Sequence, residues 1–71
     1  MMDVKITTEF IKLDSLLKFA GEAETGAMAK EIILEGDVFV NNITELRRGR
    51  KVYPGDTVRV GDIILNVCKD S

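Results

Sequence analysis

Apolar and polar residues alternate with a period of two over Val4-Lys5-Ile6-Thr7-Thr8, and the β-branched side chains there predict a short strand. The period then lengthens. Leu13, Leu16, Leu17 and Ala20 fall at i, i+3, i+4 and i+7, the spacing of one helical face, and Gly21 stops that helix. Asp14 in its first turn suits the positive end of the helix dipole. Thr25 is placed to N-cap a second helix from Gly26 to Glu35, with Ala29, Ile32 and Ile33 as its buried stripe and Gly36 as its stop. Both helices are too short to persist without packing against something else.

After Gly36 the period of two returns in Val38-Phe39-Val40-Asn41, and Asn41-Asn42 supplies two residues that tolerate positive φ in a hairpin turn. Tyr53-Pro54-Gly55-Asp56 puts proline and glycine at the central positions of a type II turn, ahead of the strand Thr57-Val58-Arg59-Val60. Gly61-Asp62 turns the chain into a last strand, Ile63-Ile64-Leu65-Asn66-Val67. This order predicts an α+β fold in which two short helices pack on a small antiparallel sheet.

Composition narrows the chemistry. Seventy-one residues with 45% hydrophobic content make one small domain over 1–71, since a chain of this length buries only about 60% of its unfolded surface. No histidine and one cysteine, Cys68, exclude zinc fingers, disulfide scaffolds and histidine-based triads, so no metal, no cofactor and no catalytic residue is expected. The start of the chain carries no basic-then-apolar leader, and no run approaches the roughly 20 apolar residues that cross a bilayer. A cytoplasmic, monomeric, non-enzymatic protein without a membrane partner is the expectation.

The net charge of −2 argues against a surface that is basic everywhere, but the distribution is uneven. Residues 1–46 hold four bases and nine acids, residues 47–59 five bases and one acid, and residues 60–71 one base and two acids. Arg47-Arg48-Gly49-Arg50-Lys51 concentrates four positive side chains in five residues, between a hairpin and a turn, where the backbone lies at the surface. A charge run is by default a solvated face. Three arginines favour phosphate recognition over that reading, because the guanidinium fork matches phosphate oxygens bidentately. A run of this kind also predicts that Arg48 and Arg50 can be reversed to glutamate without cost to stability.

The succession Leu13-Asp14-Ser15-Leu16-Leu17, Ala29-Lys30, Gly36-Asp37-Val38-Phe39-Val40-Asn41-Asn42 and Pro54-Gly55-Asp56 resembles the ribosomal-protein-S-four-type RNA-binding domain from about Ile11 to Val60. Glu45-Leu46-Arg47-Arg48-Gly49-Arg50-Lys51 is similar to the small stand-alone bacterial group called YaaA-like. The resemblance implies the αL type of RNA-binding motif, with two helices and an adjoining loop docked on structured RNA and no chemistry of its own. Two positions depart from the family pattern. Thr25-Gly26-Ala27-Met28 stands where many members have Ser-Arg, and Asn42 stands where glycine is usual. Gly26 permits close backbone approach, so the N–H groups at that helix start favour a phosphate oxygen with Lys30 one turn on; the bland alternative is that Thr25-Gly26 only caps the helix.

The remaining candidates read as structural. Cys68, after the last strand, has no group to activate it, and Asp14, Asp37, Asp56 and Asp62 belong to a helix start and turns rather than to a metal site. Tyr53 and Phe39 are both candidates for stacking on bases, but core packing is the expected duty of Phe10, Phe19 and Phe39, while Tyr53 beside the basic segment stays open. The resulting expectation is a small RNA-binding module for structured RNA, ribosomal RNA or a ribosomal assembly particle, and not for DNA. Arg47, Arg48, Arg50 and Lys51 form one wall of the site, and Lys30, Gly26 and Lys18 the other. The alternative is a protein-interaction module that turns the same loop against an acidic partner.

Overall fold

The computed structural model describes residues 2–70. The chain forms β1 (Met2–Ile6), β2 (Ile11–Lys12), α1 (Leu13–Phe19), α2 (Gly26–Leu34), β3 (Val38–Val40), β4 (Ile43–Thr44), β5 (Lys51–Val52), β6 (Thr57–Val60) and β7 (Ile63–Lys69). Five strands make one sheet in the order β1-β7-β6-β3-β4, and β2 pairs with β5 in a separate two-stranded ribbon. The fold is α+β. Its sheet is mixed, because β1 runs parallel to β7, with Val4 opposite Val67, while every other ladder is antiparallel. The intervening helices make this arrangement possible: only a crossover connection can bring a strand back parallel to an earlier one.

The helix signals are realised with small shifts of boundary. Leu13, Leu16 and Leu17 are completely buried on α1. The N–H of Gly21, at φ +81°, donates to the Lys18 carbonyl and that of Glu22 to the Leu17 carbonyl, the paired bonds that close a helix through a left-handed residue. On α2, Thr25 caps as expected, its Oγ1 accepting the Met28 N–H at 3.1 Å; the helix ends at Leu34, with Glu35 as its C-cap. The first strand begins earlier than the alternation suggested. Thr7 and Thr8 leave the sheet, and Thr8 Oγ1 donates to the Phe10 carbonyl at 2.8 Å as the chain bends toward β2.

Turns join the strands as their residues require. Asn41 and Asn42 have φ of 51° and 70°, both left-handed, in the two-residue loop between Val40 and Ile43. Gly55 at φ +100° and a 3.0 Å bond from the Asp56 N–H to the Tyr53 carbonyl give the type II turn.

Leucine, isoleucine and valine from both layers, with Ala23 and Ala29, make one core. No phenylalanine belongs to it, which corrects the expectation for Phe10, Phe19 and Phe39. Phe19 is 65% exposed because, at about 100° per residue, it falls well off the stripe of Leu13, Leu16 and Leu17. Phe39 alternates with buried Val38 and Val40, so it faces the other side of the sheet, where the Arg59 guanidinium lies 4.2 Å from its ring centroid. Cys68 lies inside β7 rather than after it and is half-buried.

Candidate nucleic-acid interface

The basic segment leaves the sheet at Glu45, whose N–H still donates to the Val38 carbonyl at 2.9 Å. The Glu45 side chain then turns inward, and the residue is only 7% exposed. Its Oε2 accepts the Arg47 backbone N–H and Arg47 Nε, each at 3.1 Å. Its Oε1 accepts Arg50 Nη1 at 2.8 Å and Arg47 Nη2 at 3.3 Å. Hydrogen bonds from Arg47 and then Arg50 outweigh the opposing effect of burial and hold the Glu45 pKa down to about 2. One carboxylate thereby fixes two of the three arginines.

The loop backbone is anchored from the other side. No side chain caps α1; the Leu13 N–H donates to the Arg50 carbonyl at 2.9 Å and the Asp14 N–H to the Arg48 carbonyl at 3.0 Å. Carbonyls of the basic loop thus satisfy the exposed donors at the positive end of the helix. With the Arg48 and Arg50 carbonyls turned to α1, the loop leaves Arg47, Arg48 and Lys51 exposed, while Arg50 reaches back to Glu45. The Arg47 and Arg50 side chains are 77% and 33% exposed, and Arg48 and Lys51 lie at the surface. Arg50 therefore cannot be reversed to glutamate without cost: the change would set two carboxylates against each other.

Beyond the loop, β5 pairs with β2, and the register sets Lys12 opposite Lys51. Lys12 therefore joins the basic surface. Nothing local in the sequence marks it, since only the pairing of two segments almost forty positions apart brings it there. Lys51 Nζ sits 4.8 Å from the Phe10 ring centroid, and Phe10 meets Tyr53 with centroids 5.8 Å apart and planes at 51°. Arg47, Gly49, Arg50, Lys51, Tyr53 and Asp56 line an open groove here. The acid in that lining is engaged, Asp56 Oδ2 accepting the Tyr53 N–H at 2.8 Å and Oδ1 accepting Asn41 Nδ2 at 3.1 Å.

Gly26, Lys30 and Lys18 lie elsewhere. Gly26 opens α2, Lys30 is exposed one turn along it, and Lys18 is exposed in the last turn of α1; none of the three lines the groove. A β-carbon built on Gly26 would meet no atom within 4 Å, so packing does not demand glycine at that position. Among the described residues no group of three potential ligands could hold a metal ion, and no helix is long and apolar enough to cross a membrane.

Comparison with known proteins converges on one family. The family model described as S4 domain matches residues 4–68. The "Probable ribosome maturation protein RlbA" of Bacillus subtilis is 44% identical over 57 residues, covering 80% of each chain. The "Putative RNA-binding protein YbcJ" of Escherichia coli is 44% identical over 48 residues, 68% of this chain and 69% of its own. The solution structure of YbcJ, described as revealing an αL motif involved in RNA binding, matches with a TM-score of 0.72 and 33% identity over 93% of this chain and 85% of that one. Matched through nearly its whole length in sequence and in fold, the chain belongs to the S4 domain family.

Proposed function

We propose that this domain is a small, non-catalytic RNA-binding protein of the cytoplasm that recognises structured RNA, with ribosomal RNA or an assembling ribosomal particle as its target. The observation that carries the reading is the bracing of the basic loop. Glu45 braces the Arg47 and Arg50 side chains, and the start of α1 anchors the loop backbone at Arg48 and Arg50, so less of the loop remains to be ordered on binding. Arginine forks set on a rigid backbone suit phosphate oxygens, and Lys12 extends the array across the β2–β5 ribbon. Gly26 and Lys30 at the start of α2, with Lys18 on α1, form the second contact of this reading. Such a site recognises backbone and shape more than base edges. Similarity to a ribosome maturation protein and to an RNA-binding protein supports the ribosomal target.

Titration of the protein with ribosomal RNA fragments over a range of salt tests this. Contacts to about five phosphates give a slope of log affinity against log salt of roughly −3 to −5. Arg48→Glu, at a side chain that makes no ion pair among the described residues, should abolish binding, and Lys30→Ala and Gly26→Val should weaken it. A parent protein that ignores RNA and captures an acidic protein through these arginines would overturn the reading.

A further inference from the structure

The loop cations account for phosphates, but they leave Tyr53 unexplained. Tyr53 is 42% exposed, lines the same groove as Arg47, Arg50 and Lys51, and belongs to no part of the buried core. Its backbone is fixed twice, by the type II turn and by the bond from its N–H to Asp56 Oδ2. Phe10 braces the ring at 5.8 Å, and the cation of Lys51 rests on Phe10 in turn. An aromatic side chain held rigidly at the mouth of a cationic groove is the arrangement that receives a base with its phosphate.

We propose that Tyr53, supported by Phe10, is a stacking platform for one unpaired nucleobase whose flanking phosphates lie on Arg47, Arg50 and Lys51. The inference rests on the RNA-binding reading above and deepens it: the bound element is a bulged or single-stranded nucleotide rather than a continuous duplex. Stacking needs an exposed π-face and no base-edge readout, so the platform accepts any base while rejecting paired ones. Asp56 keeps its charge, but its oxygens are tied to Asn41 and the Tyr53 N–H, and Arg47, Arg50 and Lys51 outnumber it in the groove.

The chain supplies its own reporter. It contains one tyrosine and no tryptophan, so its intrinsic fluorescence comes from Tyr53. Two probes are titrated into the 71-residue protein: an RNA hairpin with a bulged nucleotide, and the same hairpin with the bulge paired. The bulged hairpin should quench tyrosine emission saturably and the paired one should bind more weakly without quenching. With labelled bulged hairpin, Tyr53→Phe should bind as the parent does, and Tyr53→Leu should lose roughly 5- to 150-fold. The salt slope should stay the same in both, because no phosphate contact is removed. Saturating binding of the bulged hairpin with unchanged emission overturns the platform and leaves the RNA-binding reading intact, as does a folded Tyr53→Leu variant with parental affinity. If Tyr53→Leu fails to fold, the quenching titration of the parent decides alone. Absence of binding to either hairpin at any salt removes the platform and the RNA-binding reading together.

Discussion

The buried carboxylate of Glu45 accepts a 2.8 Å hydrogen bond from Nη1 of Arg50, so an acid organises the basic surface built around it. Arg47 closes the same carboxylate from the other side through Nε at 3.1 Å. The five-residue basic run is therefore not a uniform solvated face. Two of its arginines serve the fold as well as any ligand, and Arg48 and Lys51 make no ion pair with an acid among the described residues.

This division separates two substitutions that look equivalent in the sequence. Arg50→Ala should cost about 1.5–3 kcal/mol, the range for a hydrogen bond to a charged group, and Arg50→Glu more, since it leaves Glu45 facing a like charge. Arg48→Glu should stay within about 0.5 kcal/mol of the parent. Urea unfolding of the three variants checks the order, and equal midpoints for Arg48→Glu and Arg50→Glu would contradict it.

Glu45 also gives stability a particular dependence on pH. Its pKa falls from 4.5 to about 2 on folding, so the unfolded chain binds the proton more readily than the folded one. The contribution of this group is therefore complete above about pH 5 and drains away as the pH falls toward 2. Thermal melting across that window should show a loss that Glu45→Gln lacks, because the amide does not titrate there. A loss of the same size in Glu45→Gln would assign the effect to other carboxylates.

Asn41 ties two turns together, and its removal should be felt in both. Its Nδ2 donates to Asp56 Oδ1 at 3.1 Å, and its Oδ1 accepts the Thr57 N–H at 3.0 Å. Losing both bonds in Asn41→Ala should cost about 1–3 kcal/mol. The neighbouring Asn42, at φ 70°, should accept glycine without loss, whereas Asn42→Val should cost about 1–2 kcal/mol for a β-branched residue in the left-handed region. Chemical denaturation of the three variants is the measurement.

The buried aliphatic positions and the exposed Phe19 position should rank opposite to side-chain size. Leu17→Ala and Ile33→Ala, both at fully buried sites, should each cost about 2–5 kcal/mol, a large share of the stability of a domain this small. Phe19→Ser, despite the larger side chain, should shift stability by about 0.5 kcal/mol or less. A Phe19 variant as damaged as Leu17→Ala would mean that this ring is covered in solution.

Elements governed by neighbours in the chain were readable from the sequence. The stripe of Leu13, Leu16 and Leu17, the Thr25 cap, the paired asparagines and the Pro54-Gly55 turn each depend on residues within about one helical turn of one another, and each occurs at or close to its expected place. The family was legible for the same reason, because its signature is an ordered series of such local signals. Contacts between distant segments decided the rest. The parallel union of β1 with β7 joins the two ends of the chain, and neither strand's own pattern carries the direction of its partner. Lys12 meets Lys51 only through the β2–β5 register, and the loop carbonyls that cap α1 come from more than thirty residues away. Glu45 reads in the sequence as one acid beside a basic run; only the folded chain buries it and turns Arg47 and Arg50 onto it. A period records which face of an element is apolar, whereas register and burial depend on what that face meets, and this is settled when the distant segments pack.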